Sequence, residues 1–388
     1  MSRKVHLSIK VMKIIIAGDF CPQNRVAEAF RSKKFESVLG QVKSIISLSD
    51  YSIVNFECAA TNGKGRPISK LGPNLQCDET GIEAVKWAGF DCVTLSNNHF
   101  RDYGDEGVRE SMRLFKKYDI DTVGGGLTLE EASNTLYKEI DGKKLAIINC
   151  CEHEFTIATE ESSGSNPLNP IQQYYEIQKA KKIADYVLVV VHGGHEHYHL
   201  PSLRMQETYR FFVDAGADAV VNHHQHCYSG YEVYNGKPIF YGIGNFCFDY
   251  PAFAQTNPNW AYGYMVELEI IEDDIKYNLY SYEQSTDTPE VRMLADNPFA
   301  GHIDELNAII SSREELRQAQ EKYYESEGEQ ILSVFQPFRS RLAYAARRFK
   351  LMPSLMSNKW RLALYNYIVC EAHRDKTEYF LENFKIKK

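Results

Sequence analysis

Short β-branched runs closed by small or polar residues recur along this chain and set the first expectation of its fold. Ile14-Ile15-Ile16-Ala17 ends in Gly18-Asp19, the pattern of a strand buried on both faces with a polar residue at its carboxyl end. Ser52-Ile53-Val54 leads to Asn55-Phe56-Glu57, Cys92-Val93-Thr94-Leu95 to Asn97-Asn98-His99, and the valine-rich run 187–191 to His192-Gly193-Gly194. Ala219-Val220-Val221 leads to His223-His224-Gln225-His226, and the run 238–241 to Gly244-Asn245-Phe246. Between them, residues 38–48, 81–88, 107–118 and 203–215 carry apolar positions at three- and four-residue spacing, which predicts helices. Alternating strand and helix predicts an α/β protein of the doubly wound kind, with polar groups gathered beyond the strand carboxyl ends. Residues 162–170, rich in Ser, Gly, Asn and Pro, read as a surface loop between two halves of this domain.

Beyond about residue 283 the pattern changes. Residues 305–335 are rich in Glu, Gln and Ala at helical spacing, Pro337 interrupts them, and 340–349 resume with Arg and Ala. Two regions are therefore expected, an α/β domain over 12–282 and a mainly helical one over 283–388. Residues 335–388 hold twelve Lys or Arg against four Asp or Glu, a formal +8, which leaves −16 on the rest. Helices of that composition either lie on an anionic membrane surface or pack on the acidic domain, and the packing alternative is favoured.

The length of 388 residues accommodates one large domain and an appendage, and an overall charge of −8 argues against a general nucleic-acid binder. Nine scattered cysteines without a CxxC pair fit a reducing compartment. The apolar stretch at residues 11–20 is interrupted by Lys13 and too short for a signal or membrane segment, so a cytoplasmic protein is expected.

Carboxylate, amide and imidazole at the ends of neighbouring strands are costly to bury together unless a cation or dense hydrogen bonding compensates. Mixed nitrogen and oxygen donors suit Zn, Mn or Fe. His224 and His226 are two apart and on an extended strand would face one side, with His223 facing the other. His99, beside Asn98, either protonates a leaving oxygen or orients a ligand through a hydrogen bond. Cys21, Cys58, Cys227 and Cys247 lie close to these motifs and are expected to fill space.

The ordered set Gly18-Asp19, Asn55-Phe56-Glu57, Asn97-Asn98-His99 with Asp102 and Gly104, His192-Gly193-Gly194-His195-Glu196, His223-His224-Gln225-His226 and Tyr241-Gly242-Ile243-Gly244-Asn245-Phe246 resembles the CapA family. That family, also called the poly-γ-glutamate capsule biosynthesis family, is related to the calcineurin-like metallophosphoesterases. The resemblance covers residues 13–282. It implies a four-layer αββα sandwich and one or two divalent ions held by Asp19, Glu57, Asn98, His192, His224 and His226. Glu57 takes the bridging place, with Asn55 as the other candidate. His99, Asp102 and Glu196 are the expected catalytic groups, and Asn55, Asn97, His195 and Asn245 the expected substrate contacts. The sequence departs from the pattern in three places: Cys21 stands where a histidine commonly follows Asp19, the bridging position is Asn-x-Glu, and Asn222 stands where glycine normally precedes the last histidines. The implied role is a metal-dependent hydrolase in making a bacterial surface polymer, with the polymer, its precursor or a membrane-bound synthesis machinery as partner. A non-catalytic assembly factor using the same pocket is the alternative.

Overall fold

In the computed structural model, which describes residues 11–272, 274–327 and 357–383, the run Ile14 to Ala17 is buried on both faces by two different cores. Ile14 and Ile16 share one core with Ile53 and with Ile147, Val189 and Val221 of a second sheet. Ile15 and Ala17 share another with Val54 and with Val38, Ile82, Val85 and Leu114 from helices. The alternation of a strand thus puts every second residue between two sheets and the others beneath a helical layer.

The first sheet has eight strands. Met12–Phe20, Tyr51–Phe56, Cys92–Thr94 and Asp121–Val123 are parallel neighbours, and Asn245–Cys247 also pairs with Met12–Phe20. On the other side, Tyr262–Ile271, Asp274–Gln284 and Val291–Met293 continue the sheet antiparallel. The second sheet has six strands, with Lys143–Cys151, Tyr186–His192, Ala219–His223 and Lys237–Phe240 parallel. Helices Asn24–Arg31, Phe35–Ile46, Glu79–Ala88 and Gly104–Lys117 contribute buried faces to the core outside the first sheet. Pro170–Ala180 and Leu203–Asp214 do so for the second. The architecture is a four-layer αββα sandwich. Strand and helix alternation alone pointed to a doubly wound α/β sandwich; it records burial on both faces, not whether helix or sheet lies opposite.

Helix boundaries follow local chemistry. Asp78 and Ser202 accept hydrogen bonds from the Thr80 and Met205 amides at helix starts, and Gly89, at φ 96°, ends Glu79–Ala88 in the left-handed conformation. Residues 162–170 are not a surface loop. Gly164–Ser165 pairs with Gly125–Gly126, Ser163, Ser165 and Asn166 are buried, and Asn169 caps the helix that Pro170 opens. Strand structure runs to Met293, and the helices of the C-terminal region begin with Ala300–Ser311 and Arg313–Ser326. Among the described residues no helix is long and apolar enough to cross a membrane.

Helices Asn358–Val369 and Glu371–Asn383 dock on the α/β body through charged groups. The Arg204 guanidinium donates to Glu152 at 2.6 Å and to Asp375 at 2.7 Å, and Glu152 accepts from the Ala372 amide at 3.2 Å. Phe155 meets Tyr365 with ring centroids 5.9 Å apart. Packing therefore describes this part of the tail. Arg339, Arg341, Arg347, Arg348 and Lys350, which carried the membrane alternative with Lys359 and Arg361, lie outside the described residues.

His153 Nδ1 sits 2.6 Å from a Glu371 carboxylate oxygen, and the hydrogen bond raises the imidazole pKa above its ordinary 6.5. Burial pushes Glu371 up, but hydrogen bonds from His153 outweigh it and hold that carboxyl below its ordinary 4.5. The imidazolium contribution is complete below pH 6.5 and lost as pH rises through the folded value; the carboxylate contribution is present above pH 4.5 and lost as pH falls through its folded value. The stability difference between wild type and His153→Gln, read from urea unfolding, is expected to be largest between those limits and to shrink at pH 8. A difference that grows with pH would contradict this pairing.

Candidate metal centre

The parallel strands of both sheets deliver their carboxyl ends to one place. Asp19 is in register with Asn55 on one side and Asn245 on the other, and His192 is in register with His223. Glu57 follows the second strand directly, its amide donating to the Phe20 carbonyl at 2.9 Å. The donors therefore come from two sheets.

Five of the six expected metal ligands form two groups that share one member. Glu57, His192 and His224 place donor atoms within 4.8 Å of one another, and so do Asp19, Glu57 and His226. Glu57 Oε1 lies 3.5 Å from His192 Nε2 and 3.6 Å from His226 Nε2, and Asp19 Oδ2 lies 3.6 Å from His226 Nδ1. The sixth, Asn98, brings Oδ1 to 3.1 Å from His192 Nε2. His192 and His224 have ring centroids 4.8 Å apart, and His224 and His226 6.0 Å. Both Glu57 oxygens are buried and meet no hydrogen-bond donor among the described residues. Burial, followed by the charge of Asp19, pushes the Glu57 carboxyl well above its usual range. Burial and then His224 hold the His192 imidazole well below its own. A desolvated carboxylate facing imidazole nitrogens is unfavourable by itself and fits a divalent cation, for which these mixed donors suit Mn, Zn or Fe.

His224 and His226 reach the site by a route different from strand alternation. The strand ends at His223, and His224 and His226 have φ of 89° and 54°, conformations non-glycine residues adopt mainly at turns and functional sites. His223 turns inward, its Nε2 3.1 Å from the Ala17 carbonyl across the two sheets.

Asparagines stand behind the donors. Asn55 Nδ2 donates to Asp19 at 2.7 Å and lies 3.3 Å from His192 Nδ1. Asn97 donates to the Phe56 carbonyl and accepts from the His99 amide. Asn245 donates to the His226 and Trp260 carbonyls, so its Oδ1, 2.9 Å from His226 Nδ1, is the acceptor; His226 donates from Nδ1 and turns Nε2 toward Glu57. These three amides are buried among protein partners, whereas His195 lines the cleft, with Nε2 3.0 Å from the Tyr324 hydroxyl. Asn222 donates to the Gly193 and Tyr241 carbonyls and accepts from the Tyr209 hydroxyl, all at 2.8 Å. It therefore stitches three segments where glycine could make no such bonds. Cys21 is buried in the outer apolar core, as are Cys58 and Cys247.

Outside the donor groups a cleft of about 430 Å³ opens. Asn98, His99, His224 and Glu196 line it. His99 Nδ1 lies 2.6 Å from Asp102, which also accepts from Lys70 at 2.5 Å and from the Leu75 amide at 2.7 Å. Burial, followed by the Lys70 charge, lowers the His99 pKa. Glu196 is exposed at the rim, 3.8 Å from His197 Nε2. Lys70 and Glu154 were not expected. Lys70 sits in an irregular segment and Glu154 follows a strand whose apolar run is only Leu145 to Ile148, so neither carries a local signal. Glu154 lies 3.9 Å from His224 Nε2, and burial raises its carboxyl to about 7.

The model of the bacterial capsule synthesis protein PGA_cap family matches residues 13–250. The chain belongs to that family. Among PGA_cap relatives, the capsule biosynthesis protein CapA of Bacillus anthracis is 33% identical over 252 residues, covering 63% of this chain and 61% of that one. The PGA biosynthesis protein CapA of Bacillus subtilis (strain 168) is 32% identical over 242 residues, covering 62% and 64%. The chain thus spans less than two thirds of the length of these relatives. A solved calcineurin-like phosphoesterase, YfkN from Bacillus subtilis, aligns with a TM-score of 0.39 at 13% identity, covering 80% of this chain and 97% of that one.

Asn222→Ala leaves two carbonyls and the Tyr209 hydroxyl buried without these partners, and unsatisfied groups cost about 1–3 kcal/mol each. It is expected to lower unfolding stability by about 3 kcal/mol, read as a lower urea midpoint at unchanged slope. A loss below about 0.5 kcal/mol would show that water replaces the amide.

Proposed function

We propose that this protein is a metal-dependent hydrolase of the phosphoesterase type, acting on a precursor or product of bacterial surface-polymer synthesis. The observation that carries the reading is the Glu57 carboxylate, buried with no donor among the described residues and shared by the two donor groups. The two CapA relatives, proteins of capsule and PGA biosynthesis, support the polymer context. Asp19 and His226 would hold one cation, His192 and His224 a second with Asn98 beside it, and Glu57 both. Cations held there would supply Lewis acidity toward a phosphate ester and its attacking water.

The remaining groups handle protons and position. Asp102 accepts from His99 Nδ1–H, which fixes the ring and leaves the unprotonated Nε2 to take up the proton of the attacking water and pass it to the leaving oxygen. Lys70 holds Asp102 and the Asn98 carbonyl together. Asn55 and Asn245 keep Asp19, His192 and His226 aligned without adding charge to a crowded site.

Elemental analysis of the purified protein is expected to give two equivalents of divalent metal. Glu57→Gln should lose both, and His192→Ala and His224→Ala should each lose metal while keeping the fold; full retention in all three variants would defeat the assignment. With Mn added, bis(4-nitrophenyl) phosphate should be hydrolysed. His99→Asn should keep the metal and lower turnover by roughly 10²–10⁴-fold, whereas unchanged turnover would return His99 to an orienting role. A metal-loaded protein that turns over no ester would favour the binding-pocket alternative.

A further inference from the structure

Tyr323, Glu327, Asn366, His373 and Lys376 also line the cleft. They belong to the C-terminal helices or their ends, well beyond residue 250 where the family match stops. This part of the wall carries polar atoms in want of partners. Asn366 is 5% exposed and its Oδ1 meets no donor among the described residues; His373 Nδ1 is likewise buried and unpartnered. Burial, reinforced by the neighbouring Lys376 charge, holds the His373 imidazole at about 3, so the ring is neutral.

Lys376 is 5% exposed. Its Nζ lies 3.2 Å from Glu327 and 6.0 Å from the centre of the Tyr323 ring. An ammonium has three donors, and a carboxylate at that distance engages one of them. Lys70, the other lysine of the cleft, is bound to Asp102, to the Asn98 carbonyl and against His99. A buried cation with spare donors, beside an unfilled acceptor and a neutral imidazole, is the chemistry of an oxyanion site with a hydroxyl or N–H group alongside.

We infer that Lys376 forms a subsite for a second oxyanion, carboxylate or phosphate, that the substrate carries away from the bond being cleaved, with Asn366 Oδ1 and His373 alongside to meet a hydroxyl or N–H next to that oxyanion. The inference rests on the hydrolase reading of the same cleft and assigns its selectivity to the C-terminal helices. Phenyl phosphate and 4-carboxyphenyl phosphate separate the two ideas, because they differ only in a carboxylate at the far end of the ring.

In calorimetric titrations of the full-length Mn-loaded protein, the carboxylated ligand is expected to bind about tenfold more tightly, the scale of one charge-assisted hydrogen bond. Lys376→Met should abolish that preference without changing metal content or the affinity for phenyl phosphate. Glu327→Gln, which releases the ammonium, should increase it. Equal affinities in the wild type, binding of neither ligand, or a preference that survives Lys376→Met overturns the inference. If Lys376→Met does not fold, a Glu327→Gln protein with no increased preference overturns it instead. A preserved preference without hydrolysis of either ester defeats the hydrolase reading and leaves the subsite standing.

Discussion

A carboxylate buried without a hydrogen-bond donor among the described residues is the constraint on which the rest of this structure depends. Glu57 sits where the two sheets meet, fully enclosed, with imidazole nitrogens at 3.5 and 3.6 Å. Without a cation the charge is untenable, and the carboxyl responds by rising far above its normal range. Much of the local architecture follows. The groups behind the donors are amides, which donate and accept without adding charge. Asn55 and Asn245 touch donors directly, and Asn222 binds the Gly193 and Tyr241 segments around them.

Much of this was legible in the sequence, and the reason is local. A β-branched run ending in Asp, Glu, Asn or His declares both a buried strand and a polar tip, so Asp19, Glu57, Asn98 and His192 could be named from their own neighbours. The family resemblance added the order of the motifs and the second sheet. The harder residues depend on contacts distant in sequence. Lys70 matters through Asp102, thirty-two positions away, and Asn366 and His373 through a cleft whose floor lies hundreds of residues earlier. Segment 162–170 looked like a loop because its composition is that of a turn, yet its polar side chains are used inward, Ser165 donating to the Leu95 and Asn97 carbonyls.

The C-terminal region shows the same division between composition and use. Its positive charge suggested attraction to an acidic partner, and among the described residues Arg204 of the body holds Asp375 of the tail while Glu152 of the body caps the Ala372 amide. These ion pairs run against the net charges, with body cations on tail anions, so local geometry and not net charge sets the docking. These contacts also set where Lys376 stands over the cleft, so docking and recognition are carried by one helix, Glu371–Asn383.

The left-handed backbone at His224 and His226 has a consequence for which cation this candidate centre would favour. Glycine at either position would relax the backbone and delete the donor, while a β-branched or bulky residue would add strain and supply none. Asparagine and aspartate tolerate the same conformation as histidine and bring an oxygen instead of a nitrogen. Substitution at these two positions is therefore channelled toward harder, oxygen-rich donor sets, which would favour manganese or magnesium without rebuilding the loop.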